Sequence, residues 1–209
     1  MSEKYLDIPL SERDVRKLEI GDRVYLDGPF FTGRSLFHIR AVDQNIIPPI
    51  DFKQVNVLMH AGPMMEKTGD SWKPISMTLT ASIRFEKYGA ALIKKLGLRA
   101  MVGKTTMGTD TMRAMQAWGA VHLTAVGIMA NILPGQIKKV RDVYFLDELG
   151  KTEATWVMEL EKGGPFIVDI DAQGNNLFHQ IHRGVAKKFE EISRKFGIPA
   201  GYQYSDMKG

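Results

Sequence analysis

The chain contains no cysteine among its 209 residues, and this absence excludes several kinds of site. Disulfide bonds cannot form, and the chain cannot supply thiolates to zinc or to an iron–sulfur cluster. Long apolar runs are missing too. No segment approaches the roughly 20 apolar residues of a membrane span, and the first residues lack the apolar core of a secretory signal. These absences predict a cytoplasmic protein that does not enter a membrane.

A large excess of one charge is also missing. The chain has 28 Lys and Arg against 24 Asp and Glu, a formal net charge of +4. The imbalance is mild, and no run of about five like charges occurs, so composition does not indicate a nucleic-acid partner. With 44% apolar residues, the chain is long enough to bury the core of one domain spanning residues 1–209.

Apolar strands alternate with amphipathic helices through the middle of the chain. Predicted strands cover 23–26 (ending at Gly28-Pro29), 55–59, 99–103, 121–125, 140–146, 155–160 and 166–170. Predicted helices cover 34–43, a segment from Ser82 to a stop at Gly97, 109–118, and 178–196 near the carboxyl terminus. This pattern predicts an α/β fold with a mixed sheet and helices mainly on one side.

The segment from Gly103 to Gly108 is the most informative stretch. Lys104 lies between a predicted strand and a predicted helix, and Gly103-Lys104-Thr105 matches the end of a phosphate-binding P-loop. That motif requires a glycine where this chain has Leu98, so a nucleotide site is rejected. What remains is a cation beside the N–H groups of a helix start, where a carboxylate is favoured. A solvated loop lysine is the alternative.

Two further junctions before helices carry cations. Thr80 or Ser82 can cap the helix that follows, and capping alone would explain both residues. Arg84 lies in the first turn of that helix, where the helix dipole disfavours a positive charge unless an anion is bound. Its planar guanidinium suits a carboxylate. Arg34 follows a glycine at another junction, and together with Lys104 these groups indicate a site for a small dicarboxylate.

No obvious catalyst accompanies these cations. His38 lies one helical turn after Arg34 and could serve as an acid or base, although a packed or capping histidine is the alternative. His60 precedes Gly62 at a strand end, where glycine allows close approach of a ligand. The remaining histidines lack metal-ligand spacing, and no paired-carboxylate or Ser–His–Asp arrangement occurs. The sequence therefore predicts half of an active site and no metal site in this chain.

Several motifs occur in the order and spacing of one known family. They are Gly33-Arg34 with His38, His60-Ala61-Gly62-Pro63, Thr80 through Arg84, Val102-Gly103-Lys104 through Gly108, Glu148-Leu149-Gly150 and Gly174-Asn175-Asn176-Leu177-Phe178. On these motifs the chain resembles the β subunit of class I iron–sulfur fumarate hydratase and of L(+)-tartrate dehydratase, equivalent to the C-terminal domain of the single-chain enzymes. The resemblance covers residues 5–180 and leaves the helix and tail at 180–209 outside the family motifs.

The resemblance implies a swivelling β/β/α domain and a hydro-lyase reaction, the reversible hydration of fumarate to L-malate. L(+)-tartrate or another hydroxy-dicarboxylate is the alternative substrate. In this family, cysteines of the α region hold a 4Fe–4S cluster, so a chain without cysteine fits the two-chain form. The implied partner is therefore a cysteine-bearing α subunit that binds the cluster, in a hetero-oligomer such as α2β2.

The resemblance also implies roles for particular residues. The positions that match the family's ligands for the substrate carboxylates are Arg34, Arg84 and Lys104. Thr80 matches a threonine that contacts the substrate and is implied to take part in proton transfer, which makes it the catalytic candidate. His60 and Gly62 match the neighbouring loop and complete the substrate-binding set.

Two departures from the family pattern lie close to this implied site. The family commonly has Gly-Pro-Thr-Thr where this chain has Thr78-Leu79-Thr80-Ala81, and it usually has Asp where this chain has Ser35. Because of these two departures, the resemblance does not decide which dicarboxylate is the substrate. A non-catalytic anion-binding or assembly module of the same fold is the competing interpretation. Retention of all three cations favours the enzyme. Surface apolar residues near Met107, Met112 and Met115 are expected at the partner interface.

Overall fold

A computed structural model of the chain describes residues 2–125, 127 and 130–199, and its elements divide into two compact units between Asn176 and Leu177. The strands are β1 Glu3–Asp7, β2 Arg23–Thr32, β3 Val57–Met59, β4 Met64–Thr68, β5 Ser71–Ser76, β6 Ala100–Gly103, β7 Val121–Ala125, β8 Ile137–Tyr144 and β9 Thr155–Ile170. The helices of the first unit are α1 Glu12–Val15, α2 Ser35–His38, α3 Glu86–Leu96, α4 Thr109–Trp118, α5 Ile132–Gly135 and α6 Leu146–Leu149, with a π-helical turn at Ile39–Asp43 and a 3-10 turn at Ser82–Phe85. The second unit contains α7 Leu177–Lys195.

Seven strands form one mixed sheet in the order β1-β2-β3-β6-β7-β9-β8, and β4 and β5 form a separate hairpin. The strands from β1 to β7 in this sheet pair in parallel, whereas β9 is antiparallel to β7 and β8. β9 also pairs antiparallel with β2, so β2, β3, β6, β7 and β9 close into a ring. The predicted α/β class with a mixed sheet is confirmed.

Two cores lie on opposite faces of these strands because successive strand residues point to opposite sides. Phe30 and Met59 belong to one core, which is centred on residues of β9 such as Trp156. Their neighbours Phe31 and Leu58 belong to the other core, where apolar residues of α3 and α4 pack. The helices α3 and α4 therefore cover the same face of the sheet, the one that carries Phe31 and Leu58.

Local helix signals were predicted well from sequence. α4 coincides residue for residue with the predicted helix, and both α3 and α4 end at glycines in the left-handed conformation, Gly97 and Gly119, each with a φ of 66°. The prediction that surface residues of the partner interface lie near Met107, Met112 and Met115 was wrong for these methionines. Met115 is fully buried in the helix-side core and Met112 packs against it, because this face of α4 is directed at the sheet, and Met107, which precedes α4, is fully buried in the same core.

Two strand predictions were wrong in the same way. β2 does not end at Gly28-Pro29 but continues to Thr32, and the predicted segments 155–160 and 166–170 are the single strand β9. In both strands the glycines accommodate bulges rather than turns. Gly28 adopts a φ of 110° where the register with β9 shifts, and Gly164 adopts a φ of 135°. The strands β1, β4 and β5 were not predicted.

The second unit contains the long helix predicted near the carboxyl terminus. α7 presents exposed apolar side chains three or four residues apart: Ile181, Val185, Phe189 and Ile192. The predicted tail continues to residues 200–209, which lie outside the described residues. No helix within the described ranges is long and apolar enough to cross a membrane.

Candidate active site

The carboxyl ends of the parallel strands β2, β3 and β6 meet at one edge of the sheet. Thr32 pairs with Met59, and Met59 pairs with Val102, so the three strands end at the same level. The N–H of Gly33 donates to the carbonyl of Met59 (3.0 Å), and the N–H of His60 donates to the carbonyl of Val102 (2.8 Å). The residues that follow these strands, including Arg34 and Lys104, are therefore brought to a common edge.

The segment from Thr80 to Ser82 is held at this edge by backbone hydrogen bonds on both sides. The N–H of Thr80 donates to the carbonyl of His60 (2.6 Å), and the N–H of Lys104 donates to the carbonyl of Thr80 (3.1 Å). The N–H of Ser82 donates to the carbonyl of Lys104 (2.9 Å). Thr80 is half-buried and lies between the ends of β3 and β6, beside the lysine backbone.

The Arg34 guanidinium is held beside Gly62. Its Nη1 lies 3.6 Å from Oε1 of Glu153, whose Oε2 accepts a hydrogen bond from the N–H of Leu36 (3.0 Å). A Cβ at position 62 would come within 2.6 Å of Arg34 Cδ and 2.5 Å of the Thr152 carbonyl oxygen. Glycine is therefore required where the loop passes the arginine, and Glu153 orients the guanidinium.

Lys104 and Arg84 differ from Arg34 in having no carboxylate partner among the described residues. Lys104 is half-buried and Arg84 is exposed. The structure brings together Arg34, His60, Gly62, Thr80 and Lys104. Arg84 lies in the 3-10 turn that follows Thr80, and no hydrogen bond or ion pair in the described part of the chain joins its side chain to the others.

The helix-start N–H groups of α4 already have an anionic partner, which corrects the expectation that they bind a ligand carboxylate. The Glu86 carboxylate accepts hydrogen bonds from the N–H groups of Gly108 (2.6 Å), Asp110 (3.1 Å) and Thr111 (3.1 Å), and from the Thr111 hydroxyl (2.7 Å). This cap was missed because Glu86 is remote in sequence from α4. It ties the loop after Lys104 to the start of α3.

Two histidines lie beneath the edge and are excluded from solvent. His38 Nδ1 donates to the Arg34 carbonyl (2.6 Å), and burial lowers the pKa of His38 to about 4. His60 is fully buried, and burial, followed by the nearby His38 and His122, lowers its pKa well below 6.5. Both rings are therefore neutral at pH 7. The packed-histidine alternative for His38 agrees with this placement.

The buried His38 should make the protein acid-sensitive. Unfolding returns its pKa from about 4 to the usual 6.5, so the unfolded chain binds more protons between these values. The stability from neutral His38 is complete above pH 6.5 and is lost as the pH falls towards 4, with a total of about 3 kcal/mol. Urea unfolding from pH 7.5 to 4.5 measures this loss. His38→Phe should reduce this loss and leave the part that comes from the buried His60, whereas His182→Phe at an exposed position should not reduce it.

Comparisons with known proteins agree on one family. A family model described as Fumarase C-terminus matches residues 2–181. The L(+)-tartrate dehydratase subunit beta of Escherichia coli K12 is 32% identical over 189 residues, which cover 90% of this chain and 93% of that protein. A Methanocaldococcus jannaschii protein provisionally given the same name is 37% identical over 186 residues, covering 88% of this chain and 95% of that protein. A Geobacillus stearothermophilus protein provisionally named fumarate hydratase class I is 33% identical over 188 residues, covering 90% of this chain and 36% of that protein.

Proposed function

Because the chain belongs to the Fumarase C-terminus family, we propose that it is the β subunit of a two-chain hydro-lyase that reversibly hydrates fumarate to L-malate. The observation that carries the proposal is the convergence of Arg34, Thr80 and Lys104 at one edge of the sheet. Two cations and a hydroxyl are held there by backbone hydrogen bonds and strand register. Such a set suits the two carboxylates of a small dicarboxylate.

In the proposed reaction, the cations act on the substrate carboxylates. Removing the proton next to a carboxylate pushes negative charge onto that group, and fixed cations stabilise this charge more in the transition state than in the ground state. Arg34, Arg84 and Lys104 are the proposed ligands, with His60 and Gly62 shaping the loop beside them. The strand ends hold the backbone beside Arg34 and Lys104, which limits the motion of these two residues as the charge develops.

Thr80 is the proposed residue for proton transfer. Its backbone is hydrogen-bonded between His60, after β3, and Lys104, after β6, and the residue is half-buried. A threonine hydroxyl is a weak base by itself, so it requires an adjacent base that lowers its cost of losing a proton. We infer that this base comes from the partner chain, because Glu153, a carboxylate at this edge, is engaged with Arg34 and the Leu36 N–H.

The family's iron–sulfur cluster does not fit the residues of this chain. The chain has no cysteine, and the described residues contain no group of three or more His, Asp or Glu side chains that could hold a metal ion. We therefore assign the 4Fe–4S cluster to a cysteine-bearing α subunit. The residues of this chain would then bind and orient the substrate.

We infer that the partner covers the site edge. Three exposed apolar side chains lie within two residues of proposed site residues in the sequence: Leu36 (39% exposed), Met64 (56%) and Ile83 (46%). Burial of these side chains would accompany the docking of the α subunit, giving a hetero-oligomer such as α2β2 in the cytoplasm. We propose that this domain swivels over the cluster-bearing chain.

L(+)-tartrate dehydration is the second candidate function. It is favoured by the names of the E. coli and M. jannaschii relatives, which this chain covers almost completely. Both reactions need the same carboxylate ligands, so the site geometry serves either. A non-catalytic anion-binding module is the alternative from another class, and the three retained cations weigh against it.

Co-expression with the cysteine-bearing partner under anaerobic conditions tests the proposal. The purified pair should convert fumarate to L-malate, and the measurement is turnover of fumarate, L-malate and L(+)-tartrate in parallel. Higher kcat/KM on L(+)-tartrate would transfer the assignment to the second candidate. A cluster-loaded pair that turns over none of these or related hydroxy-dicarboxylates would refute the enzyme assignment and leave the anion-binding module.

A further inference from the structure

A buried hydroxyl–imidazole pair lies directly beneath the proposed catalytic segment. The Ser82 hydroxyl and His60 Nδ1 are 2.9 Å apart, and both residues have no solvent-exposed surface. Gly103 makes the arrangement possible, since a Cβ at that position would collide with Ser82 Oγ and lie 3.3 Å from His60 Nδ1. The pair therefore bonds the 3-10 turn after Thr80 to the end of β3 below the site surface.

An aromatic stack extends from this pair to the arginine segment. The Phe85 ring stacks on His38, with centroids 4.2 Å apart and planes 10° from parallel, and lies 4.8 Å from the His60 ring. His38 in turn donates to the carbonyl of Arg34 (2.6 Å). The contacts run without a break from the backbone of Arg34 to the hydroxyl of Ser82.

We propose that Ser82, His60 and His38 are positioning residues of the hydro-lyase site, which set the separation between the Arg34 segment and the Thr80–Lys104 segment. The inference rests on the proposed function and gives these buried side chains a role within it. None of the three touches solvent, so they act through Arg34, Thr80 and Lys104 rather than on the substrate.

Chemical considerations favour positioning over acid–base catalysis by these histidines. Burial keeps both rings neutral, and each Nδ1 is already engaged by a protein group. The hydrogen bond from His38 to a carbonyl requires the proton on Nδ1, which fixes its tautomer. A neutral ring with a fixed tautomer and a stacked face is a rigid spacer. Small displacements of a reacting group cost large factors in rate, so such a spacer matters to turnover.

Ser82→Ala in the assembled complex tests the proposal, with Ser71→Ala as the matched control. The Ser71→Ala variant also loses one hydroxyl hydrogen bond, the one that Ser71 donates to the Thr68 carbonyl, but Ser71 lies in the β4–β5 hairpin. We expect Ser82→Ala to lower kcat about 10- to 100-fold with a smaller change in KM and an unchanged pH–rate profile, and Ser82→Cys to recover part of the loss. Ser71→Ala should keep the parent kcat.

NMR spectra of the histidine rings in the full chain test this inference independently of the proposed function. In long-range proton–nitrogen spectra, Ser82→Ala should shift the ring nitrogens of His60 and the backbone amides of Thr80 and Lys104, and Ser71→Ala should shift none of them. Three results for Ser82→Ala would each overturn the positioning role: unchanged chemical shifts of the His60 ring nitrogens, a kcat within about twofold of the parent, or a pH–rate profile that is shifted from that of the parent. If the parent complex turns over no dicarboxylate, the proposed function fails, and the ring shifts still decide whether the buried pair holds the segment.

Discussion

Replacement of Lys104 or Arg84 by alanine is expected to lower kcat/KM of the complex about 100- to 1000-fold, the range found when one preorganised charge-stabilising group is removed. Neither cation has a carboxylate partner among the described residues, so each is available to a substrate carboxylate. The loss should appear in kcat as well as in KM, because the charge on the carboxylate grows in the transition state. Steady-state kinetics on fumarate and L-malate measures it.

The controls separate lost chemistry from lost folding. Lys73→Ala removes an exposed lysine of the β4–β5 hairpin and should leave kcat/KM unchanged. Arg84→Lys should recover only part of the Arg84→Ala loss, because an ammonium cannot reproduce the bidentate guanidinium. Size-exclusion chromatography should find every variant still assembled with its partner. Near-parental kcat/KM in both alanine variants would contradict the assignment of these cations to the site.

The parts of the fold that depend on local signals were predictable from sequence. α4 and the glycine ends of α3 and α4 follow from amphipathic spacing and from left-handed glycine, which act over a few residues. The strand–glycine–cation junctions could be predicted for the same reason, and parallel pairing then placed Arg34 and Lys104 at one edge. The common edge was therefore within reach of the sequence, whereas the membership of these cations in one site and their roles stay predictions.

Features set by distant contacts were not predictable. The bulges that carry β2 through Gly28 and β9 through Gly164 depend on the register between these two strands, which no local pattern specifies. The cap of α4 by Glu86 and the support of Arg34 by Glu153 join residues far apart in the chain. A glycine near a strand and a scattered glutamate each have many possible roles, and the tertiary structure selects one.

A second buried pair, which includes none of the proposed site residues, was missed for the same reason. His122 on β7 and Asp169 on β9 have no exposed surface, and His122 Nδ1 lies 2.6 Å from Asp169 Oδ1. Their outer atoms, His122 Nε2 and Asp169 Oδ2, have no hydrogen-bond partner among the described residues. The pair thus satisfies one polar atom of each residue inside the core, at the point where β7 and β9 run antiparallel.

Removing either member of this pair should strongly destabilise the fold. His122→Ala leaves the Asp169 carboxylate buried without its partner, a change that typically costs about 3–5 kcal/mol, whereas Asp169→Ala leaves an unpartnered imidazole and typically costs about 1–3 kcal/mol. Since domains are stable by only about 5–15 kcal/mol, urea unfolding should show a marked fall in the free energy of unfolding. The exposed His182→Ala should change it by less than about 0.5 kcal/mol. The double variant should cost less than the sum of the single variants, because its second substitution removes a group already orphaned by the first. Additive losses, or single-variant losses equal to that of His182→Ala, would show that the two side chains do not stabilise each other.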